Sequence, residues 1–451
     1  MSTFHLNLSL MTPGHFRNAW RLHDRDPLGW IDVPRYRELA RQAEAARIHA
    51  IFLGDSPGLG QAIAEHPEAG IEPTVLFSSL LAGTRGLGAI ATASSTYNSP
   101  YNLARRFLAL DHVTGGRAAL NVVTTFSPNA PAAFGYDRTP EKPERYRRAD
   151  EFVRTVLSLW GGWDDEAIVG DRASGRFADL DRIHRTDFQG EFLRVSGALS
   201  VPPSPQRRPV LVQAGGSPGG LALAARYADV VFTVGQTIGD AVAFRDGTRE
   251  RAAAAGRDAD HVAISLGVVV LVAATEREAQ QRVQELVDTS DPTSAAQGVA
   301  RQLGLDPDGI TPDTALTPQI LDAAQNPPGS AGFHRSIRAL LSERPLTVRE
   351  LFTRSASGSG HRLLVGTPEQ IADDLEQWYG AGAADGFTIM PADTAVDFER
   401  FTESVVPILQ RRGLFHRDYE SDTLRENLGL APLASGADRA LAAREHAPVP
   451  G

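Results

Sequence analysis

Short apolar segments alternate along this chain with segments of helical periodicity, and this alternation constrains the fold more than any other feature. The apolar runs have the length of buried strands, and the patterned segments between them have the length of helices. The strand candidates cover residues 4–11, 50–55, 87–93, 118–124, 209–215, 228–234, 262–274 and 386–390. Strands that alternate with helices form parallel sheets. Eight such units predict an α/β fold that closes as a TIM (β/α)8 barrel with insertions.

The chain is longer than a bare barrel requires. Eight βα units need about 250 residues, whereas this sequence has 451. The surplus is predicted to form three insertions, at about 126–144, 164–208 and 291–360. In the second insertion, FQGEFLRVSG (188–197) predicts a small hairpin. Residues 1–430 are therefore predicted to form a single domain, and the Ala- and Pro-rich tail 431–451 to be disordered or to wrap a neighbouring subunit.

Charge and composition exclude several functional classes. The formal net charge is −10, which disfavours a nucleic-acid or anionic-membrane partner. The sequence has no cysteine, so disulfides, thiolate catalysis and cysteine-ligated metals are excluded. The longest nearly apolar run, residues 264–274, is about half as long as a membrane span, and the N-terminus lacks the basic start of a signal peptide. We expect a soluble, cytoplasmic protein.

The segment STYNSPYNLARRFLALDHVTGGR (95–117) joins a polar, aromatic turn to a well-delimited helix. Ser99 and Pro100 suit the N-cap and first helical positions, and the glycines that follow the helix provide a left-handed end. Tyr97 therefore lies in a βα loop, and Thr92 lies near the end of the strand before it. Because TIM barrels build their active sites at the carboxyl ends of the strands, both residues are candidates for a binding site. A hydrogen-bonded structural turn is the alternative.

Polar residues also follow other predicted strands. Asp55 ends the second strand, His15 and Trp20 come after the first, and Asn121 lies on the fourth. Each residue alone is more often a helix cap, a packed side chain or a structural hydrogen-bond partner. Their shared position at the carboxyl ends of parallel strands favours a common pocket.

The loop QAGGSPGG (213–220) links the fifth strand to a helical segment and indicates a phosphate cradle. Backbone N–H groups of such a loop and the helix dipole favour an anion, and Ser217 adds a hydroxyl. The sequence contains no dinucleotide fingerprint, P-loop, metal-ligand spacing or serine-hydrolase elbow. A cofactor that carries a phosphate and a flat ring, without a metal, fits this pattern best.

Longer motifs of the chain resemble those of a known family. They are FLGDS (52–56), ERYRRADEF (144–152), VQAGGSPGGLALAARYADVVFT (212–233), VGTPEQIADDLEQWYGAGAADGFTIMP (365–391) and LFHRDYESDTLRENLGL (414–430), together with the segment around Tyr97. From about residue 4 to 430, the chain resembles the bacterial-luciferase-like flavin-dependent monooxygenases. The similarity is greatest to their nitrilotriacetate / dibenzothiophene-sulfone monooxygenase branch.

This resemblance implies a luciferase-like TIM barrel that uses reduced FMN (FMNH2). A separate NAD(P)H:flavin reductase would supply the reduced flavin. Dioxygen would then form a flavin hydroperoxide, which inserts one oxygen atom into a small organic substrate. The protein's task is to hold the ring, exclude water and place the substrate beside it. The family also implies a homo-oligomer.

The family's flavin contacts fall on particular residues of this chain. They are Asp55, Thr92, Tyr146, Ser217 and the backbone of Gly216. Ser217 and Gly216 would hold the phosphate, and Thr92 would lie beside the ring. The family usually carries a flavin-contacting histidine where this chain has its only lysine, Lys142, which would neutralise flavin charge or point into solvent.

The resemblance also implies a substrate pocket. Its predicted residues are Trp20, Tyr97 and Asn121, with His15 as the candidate for proton transfer because an ordinary imidazole pKa suits that work near neutrality. The substrate itself does not follow from the sequence. An aminopolycarboxylate would require inward-facing arginines, for which Arg17, Arg21 and Arg138 are candidates.

Two other functions remain open at the level of sequence. One is a deazaflavin-dependent oxidoreductase on the same scaffold, which transfers hydride and does not use oxygen. The other is a flavin-binding protein without turnover, which the replacement by Lys142 leaves open. Cofactor preference and oxygen use distinguish these functions from a monooxygenase.

Overall fold

A closed barrel of parallel strands forms the centre of the computed structural model, which describes residues 4–68, 70–125, 127–324, 331–355, 360–444 and 449. Within these ranges the strands are β1 (His5–Ser9), β2 (Ala50–Leu53), β3 (Gly88–Ser94), β4 (Ala118–Val123), β5 (Ile168–Asp171), β6 (Arg176–Ala178), β7 (Thr186–Gln189), β8 (Arg194–Gly197), β9 (Val210–Gln213), β10 (Val230–Thr233), β11 (Ala263–Val272), β12 (Ala315–Leu316), β13 (Leu346–Thr347), β14 (Arg362–Gly366) and β15 (Gly386–Pro391).

Helices follow most of the barrel strands and cover the outside of the barrel. The α-helices of the described ranges are α1 (Val33–Ala45), α2 (Pro73–Leu81), α3 (Pro100–Val113), α4 (Lys142–Trp160), α5 (Pro218–Tyr227), α6 (Ile238–Ala254), α7 (Glu276–Asp288), α8 (Pro292–Leu303), α9 (Pro318–Asp322), α10 (Ala331–Glu343), α11 (Val348–Arg354), α12 (Pro368–Gly380), α13 (Thr394–Arg400), α14 (Val406–Arg411), α15 (Leu424–Asn427) and α16 (Ala437–Ala443). No helix in the part of the chain described is long and apolar enough to cross a membrane.

The eight predicted strands are the eight strands of the barrel, so the predicted TIM-barrel fold is confirmed. Their order is β1-β2-β3-β4-β9-β10-β11-β15, and β15 pairs with β1 to close the ring. All of these pairings are parallel. Strand β14, which the sequence analysis did not predict, pairs with the second half of the ten-residue β11.

The C-terminal segment closes the amino end of the barrel. Ala50, Ile90 and Ala119 from β2, β3 and β4 form one interior cluster with Leu424 and Leu428. Small strand residues make room for this segment. A Cβ on the glycine at position 88 would lie 2.8 Å from a methyl carbon of Leu424. The motif at 414–430 therefore completes the barrel core, and the opposite, carboxyl end remains available for a site.

The insertions differ in structure. The hairpin predicted at 188–197 is confirmed, because β7 and β8 pair antiparallel there. The insertion at 291–360 contains α8 to α11 and has a hydrophobic cluster of its own. Its residues 325–330 and 356–359 lie outside the described residues, as does residue 126 of the first predicted insertion. Helix α4 begins at Lys142, within the range predicted for that first insertion.

The tail after residue 430 is folded where the structure describes it. Helix α16 packs on α4, so Ala437–Ala443 are ordered here, whereas wrapping of a neighbouring subunit by the tail stays a prediction. Residues 445–448, 450 and 451 of this predicted tail lie outside the described residues. The Ala-rich composition of the tail indicated disorder, but a buried ion pair holds α16 in place. The Asp438 carboxylate accepts a hydrogen bond from Arg208 Nε at 2.9 Å.

This ion pair belongs to a buried network that joins the tail to the barrel. Asp229, at the start of β10, accepts hydrogen bonds from Arg208 Nη1 at 2.7 Å and from Arg425 Nη2 at 2.8 Å. Burial opposes ionisation of Asp229, but the two guanidinium groups outweigh it and hold the pKa of this carboxyl well below its usual value. The network has four side chains, those of Arg208, Asp229, Arg425 and Asp438. Each is less than a tenth exposed.

Candidate active site

A cavity of about 750 Å³ lies at the carboxyl end of the barrel. We call it the inner cavity. Five of the predicted cofactor-binding residues line it, namely Asp55, Lys142, Tyr146, Gly216 and Ser217. They come from the loop after β2, the first two turns of α4 and the loop after β9. The fold thus brings together residues that are far apart in the chain.

Ser217 organises one wall of the inner cavity. As the N-cap of α5, its Oγ accepts a hydrogen bond from the Gly220 N–H at 3.2 Å. The same hydroxyl donates to the Tyr146 Oη at 2.8 Å, and both side chains are buried. Gly216 is required next to it, because a Cβ there would lie 2.6 Å from the Gly332 Cα at the start of α10. The N-termini of α4 and α5 therefore lie beside the described part of α10.

The N-termini of α4 and α5 face the inner cavity, and α4 carries two cationic side chains there. Lys142 and Arg145 of α4, the N-cap Ser217 of α5, and Ala331 and His334 of α10 all line it. Burial lowers the pKa of Arg145, and its Nε has no partner in the described structure. Lys142 is exposed at the first position of α4. Unsatisfied N–H groups, helix dipoles and these cations together favour an anion such as a phosphate.

Thr92 and Asn121 lie inside the barrel, next to this cavity. They are register partners on β3 and β4, and Asn121 Nδ2 donates to Thr92 Oγ1 at 2.9 Å. Asn121 Oδ1 is buried without a partner among the described residues. Because residues two apart on a strand share a face, Asn121 lies one layer below Val123, which lines the inner cavity. Thr92 and Asn121 therefore lie directly beneath the inner cavity, at its floor.

Tyr97 is placed differently from the prediction. Its ring stacks on Phe134 at 4.9 Å and meets the edge of Tyr136 at 5.5 Å. It does not line the inner cavity or the two cavities described next. The residue was predicted from its position in a βα loop, but the insertion after β4 covers it. Ser99 begins α3 as predicted, although its side chain makes no capping hydrogen bond.

Two further cavities continue from the inner one. A middle cavity of about 340 Å³ shares Asp55 and Ser56 with the inner cavity. An outer cavity of about 940 Å³ is lined by His15, Trp20 and residues of the insertion at 291–360. Arg17 lines both the middle and the outer cavities. Burial, followed by the nearby charge of Glu72, raises the pKa of Asp55 above its usual value.

The surroundings of His15 change the role predicted for it. Its Nε2 lies 3.1 Å from Ser9 Oγ, and its side chain is buried. Burial, with smaller contributions from His361 and Arg17, holds the pKa of His15 well below its ordinary value. The pKa of His15 therefore differs from the ordinary imidazole value on which its predicted role was based. His15 is neutral near pH 7, and its Nε2 forms a hydrogen bond with the hydroxyl of Ser9.

Several cavity residues were missed by the sequence analysis. Arg145 follows Lys142 by one helical turn, so the start of α4 contained the signal for it. Thr125 follows β4 and lines the inner cavity, and the position of Asn121 on the same strand pointed to it. His334 gave no such signal, because it lies in an insertion that the sequence could not place.

Comparison with known proteins identifies the family. The family model described as luciferase-like monooxygenase matches residues 15–385. The chain belongs to this family. Like its relatives, the monooxygenase is a flavin-dependent enzyme, and the cavities at the carboxyl end of the barrel are its candidate active site.

Individual relatives match nearly the whole monooxygenase. Nitrilotriacetate monooxygenase component A of Aminobacter aminovorans is 39% identical over 92% of this chain and 93% of that protein. Dibenzothiophene-sulfone monooxygenase of Rhodococcus erythropolis is 35% identical over 92% of this chain and 94% of that protein. These relatives confirm the branch that the motifs indicated. A riboflavin lyase structure with modified FMN and substrate riboflavin has a TM-score of 0.84 and 30% identity, and covers 98% of this chain and 100% of that chain.

Proposed function

We propose that this protein is the oxygenase of a two-component system that uses reduced FMN to insert one atom of O2 into a small organic substrate. The convergence of two helix N-termini, those of α4 and α5, on the inner cavity supports the proposal most directly. It provides a phosphate site, as FMN requires, in which Ser217, Tyr146, Arg145 and Lys142 surround the anion position. The solved relative with modified FMN supports the same cofactor.

The residues next to the phosphate site fit an isoalloxazine ring. Asn121 Oδ1 and Thr125 Oγ1 are buried polar atoms without partners in the described structure, and such atoms ordinarily have one. A ring edge with N–H and carbonyl groups would satisfy them. Asp55, between the inner and middle cavities, would lie at the other side of the ring. Bound reduced FMN would supply the electrons that activate O2.

The chain's own task would be to orient the substrate and limit water. The Asn121–Thr92 hydrogen bond fixes the floor beside the ring. The neutral His15 would relay a proton through its bond to Ser9, and it would carry no net charge before or after the transfer. The insertion that carries α8 and α10 covers both ends of the linked cavities, which favours exclusion of solvent.

Partners are part of the proposal. A relative is named as component A of its enzyme, which supports a second protein that supplies reduced flavin, for which we propose an NAD(P)H:flavin reductase. We propose a homo-oligomer on family resemblance alone.

Anaerobic titration with photoreduced FMN tests the proposed cofactor. We expect reduced FMN to bind more tightly than reduced riboflavin, because riboflavin lacks the phosphate, and more tightly than a reduced deazaflavin, whose ring differs from the one proposed for the site. On mixing with oxygenated buffer, bound flavin should reoxidise at a rate different from that of the free flavin. Tighter binding of the deazaflavin would instead favour the hydride-transfer function. Reoxidation as fast as that of free FMN would favour a carrier.

Two cations of the inner cavity should contribute unequally to FMN affinity. We expect Lys142→Ala to weaken reduced-FMN binding about 3-fold at low salt and hardly at all at high salt, because an exposed charge is screened. Arg145→Gln should weaken it at least about 10-fold, since this guanidinium is partly buried and its Nε is unpaired. Anaerobic fluorescence titrations at two salt concentrations measure both effects. A larger loss for Lys142→Ala would contradict the assignment.

A further inference from the structure

Arg17 is an arginine without a partner among the residues that the structure describes. Its side chain makes no hydrogen bond or ion pair with a residue that the structure describes, whereas nearby Arg25 is paired with Asp393 at 2.6 Å. Glu68 attracts Arg17 only from beyond ion-pair distance, and its carboxylate accepts the Gly60 N–H at 2.6 Å.

Arg17 is an exposed residue whose free surface faces two cavities. The residue begins the 3-10 helix Arg17–Arg21 after β1 and lines both the middle and the outer cavities. The protein around these cavities still desolvates its guanidinium and lowers its pKa. A cation in such surroundings carries a desolvation penalty that an anionic partner offsets. The guanidinium fork is suited to a carboxylate, which it binds through two parallel hydrogen bonds.

The outer cavity adds to this positive charge. Arg21 and Arg301 line it together with Arg17. Two carboxylates also line it, Glu65 and Asp291, but Asp291 caps α8 by accepting the Ser294 N–H at 2.8 Å. Because His15 is neutral, the three arginines that line the outer cavity outnumber its two carboxylates. The structure thus gives a direction to two of the three arginines singled out in the sequence, because Arg17 and Arg21 line the outer cavity and Arg138 lines none of the three cavities.

We propose that the outer cavity is the substrate chamber and that Arg17, at its junction with the middle cavity, binds a carboxylate of a small organic-acid substrate. The inference rests on the proposed function, because it takes the inner and middle cavities as the flavin site. A carboxylate held by Arg17 would fix one end of the substrate, and the remainder would lie towards Asp55 and the flavin ring. Neutral molecules of the same shape would lack this anchor.

Matched acid and amide probes test this assignment. Protein saturated with reduced FMN is titrated anaerobically, by calorimetry, with nitrilotriacetate and its triamide, and with succinate and succinamide. We expect each acid to bind at least about 10-fold more tightly than its amide, the ratio that one charge-assisted pair supplies. Equal affinity within both pairs, or binding of none of the four probes, would overturn the proposal.

Variants separate Arg17 from the general charge of the cavity. Arg17→Gln should abolish the preference for acids, Arg17→Lys should retain part of it, and Arg138→Gln should leave it unchanged. Each variant is saturated with reduced FMN before the titration, so that a change in flavin affinity does not enter the comparison, and a cooperative thermal unfolding transition shows that all three are folded. An acid preference that persists in Arg17→Gln would overturn the role of Arg17. Failure of the wild-type protein to bind reduced FMN would contradict the proposed function instead.

Discussion

Replacement of Asp229 by asparagine is expected to lower the free energy of unfolding by about 3–5 kcal/mol, the usual cost of removing one partner from a buried ion pair. The carboxylate lies between Arg208 and Arg425 and bonds to both. Without the charge of Asp229, Asp438 is the one carboxylate left in this network, and it pairs with Arg208. Arg425 loses its carboxylate partner. Urea unfolding followed by tryptophan fluorescence measures the change. A matched control is Asp322→Asn, which removes an exposed pair with Arg338 and should cost less than about 0.5 kcal/mol.

The same network predicts a pH dependence of stability. The arginines hold the pKa of Asp229 well below its usual value in the folded state, so the unfolded chain takes up the proton first as the pH falls. The contribution of Asp229 is therefore fully present above the usual carboxyl pKa of about 4 and is lost progressively below it. In Asp229→Asn this part of the acid sensitivity should disappear. An unchanged acid unfolding profile would contradict the assignment.

Replacement of Ser217 by aspartate should weaken reduced-FMN binding by at least about 100-fold, or about 2.7 kcal/mol. Aspartate is as good an N-cap as serine, so α5 should remain intact while a second anion occupies the phosphate position. Like charges brought together in this way cost several kcal/mol. Anaerobic titration with reduced FMN measures the loss.

Two comparisons make the Ser217 result specific. Ser217→Asn keeps a capping side chain without the charge and should weaken binding far less. Reduced riboflavin has no phosphate, so its affinity for Ser217→Asp should fall much less than that of reduced FMN. Equal losses for the two flavins would mean that the phosphate does not lie at the α5 N-terminus.

The barrel could be predicted from sequence because its signals are local. Each strand is a short apolar run, and most of the bounding turns carry glycine, proline or a capping residue. The loop at 213–220 indicated its role for the same reason, since a glycine-rich turn before a helix exposes N–H groups wherever it occurs. Ser217 was thus singled out without knowledge of its neighbours.

The remainder of the site depends on packing between distant segments, which no local pattern contains. Helix α10 reaches the inner cavity because Gly332 packs on Gly216 and because Arg335 bonds to Asp240 at 3.0 Å. Tyr97 was predicted to line a pocket because its contact with Phe134, from the insertion after β4, was not foreseeable. His15 was given an ordinary pKa because its burial could not be known.

The closure of the ring sets the order in which this chain can mature during biosynthesis. β1 pairs with β15, with His5 opposite Gly386, and the segment that fills the amino end of the barrel follows later still. A ribosome releases β1 first, so this strand waits for its second neighbour until most of the chain has been translated. Until then the apolar interior is exposed on one side. Folding intermediates that expose such apolar surface are prone to aggregate. Translation that stops before residue 386 would leave a sheet with two unpaired edges in place of a barrel.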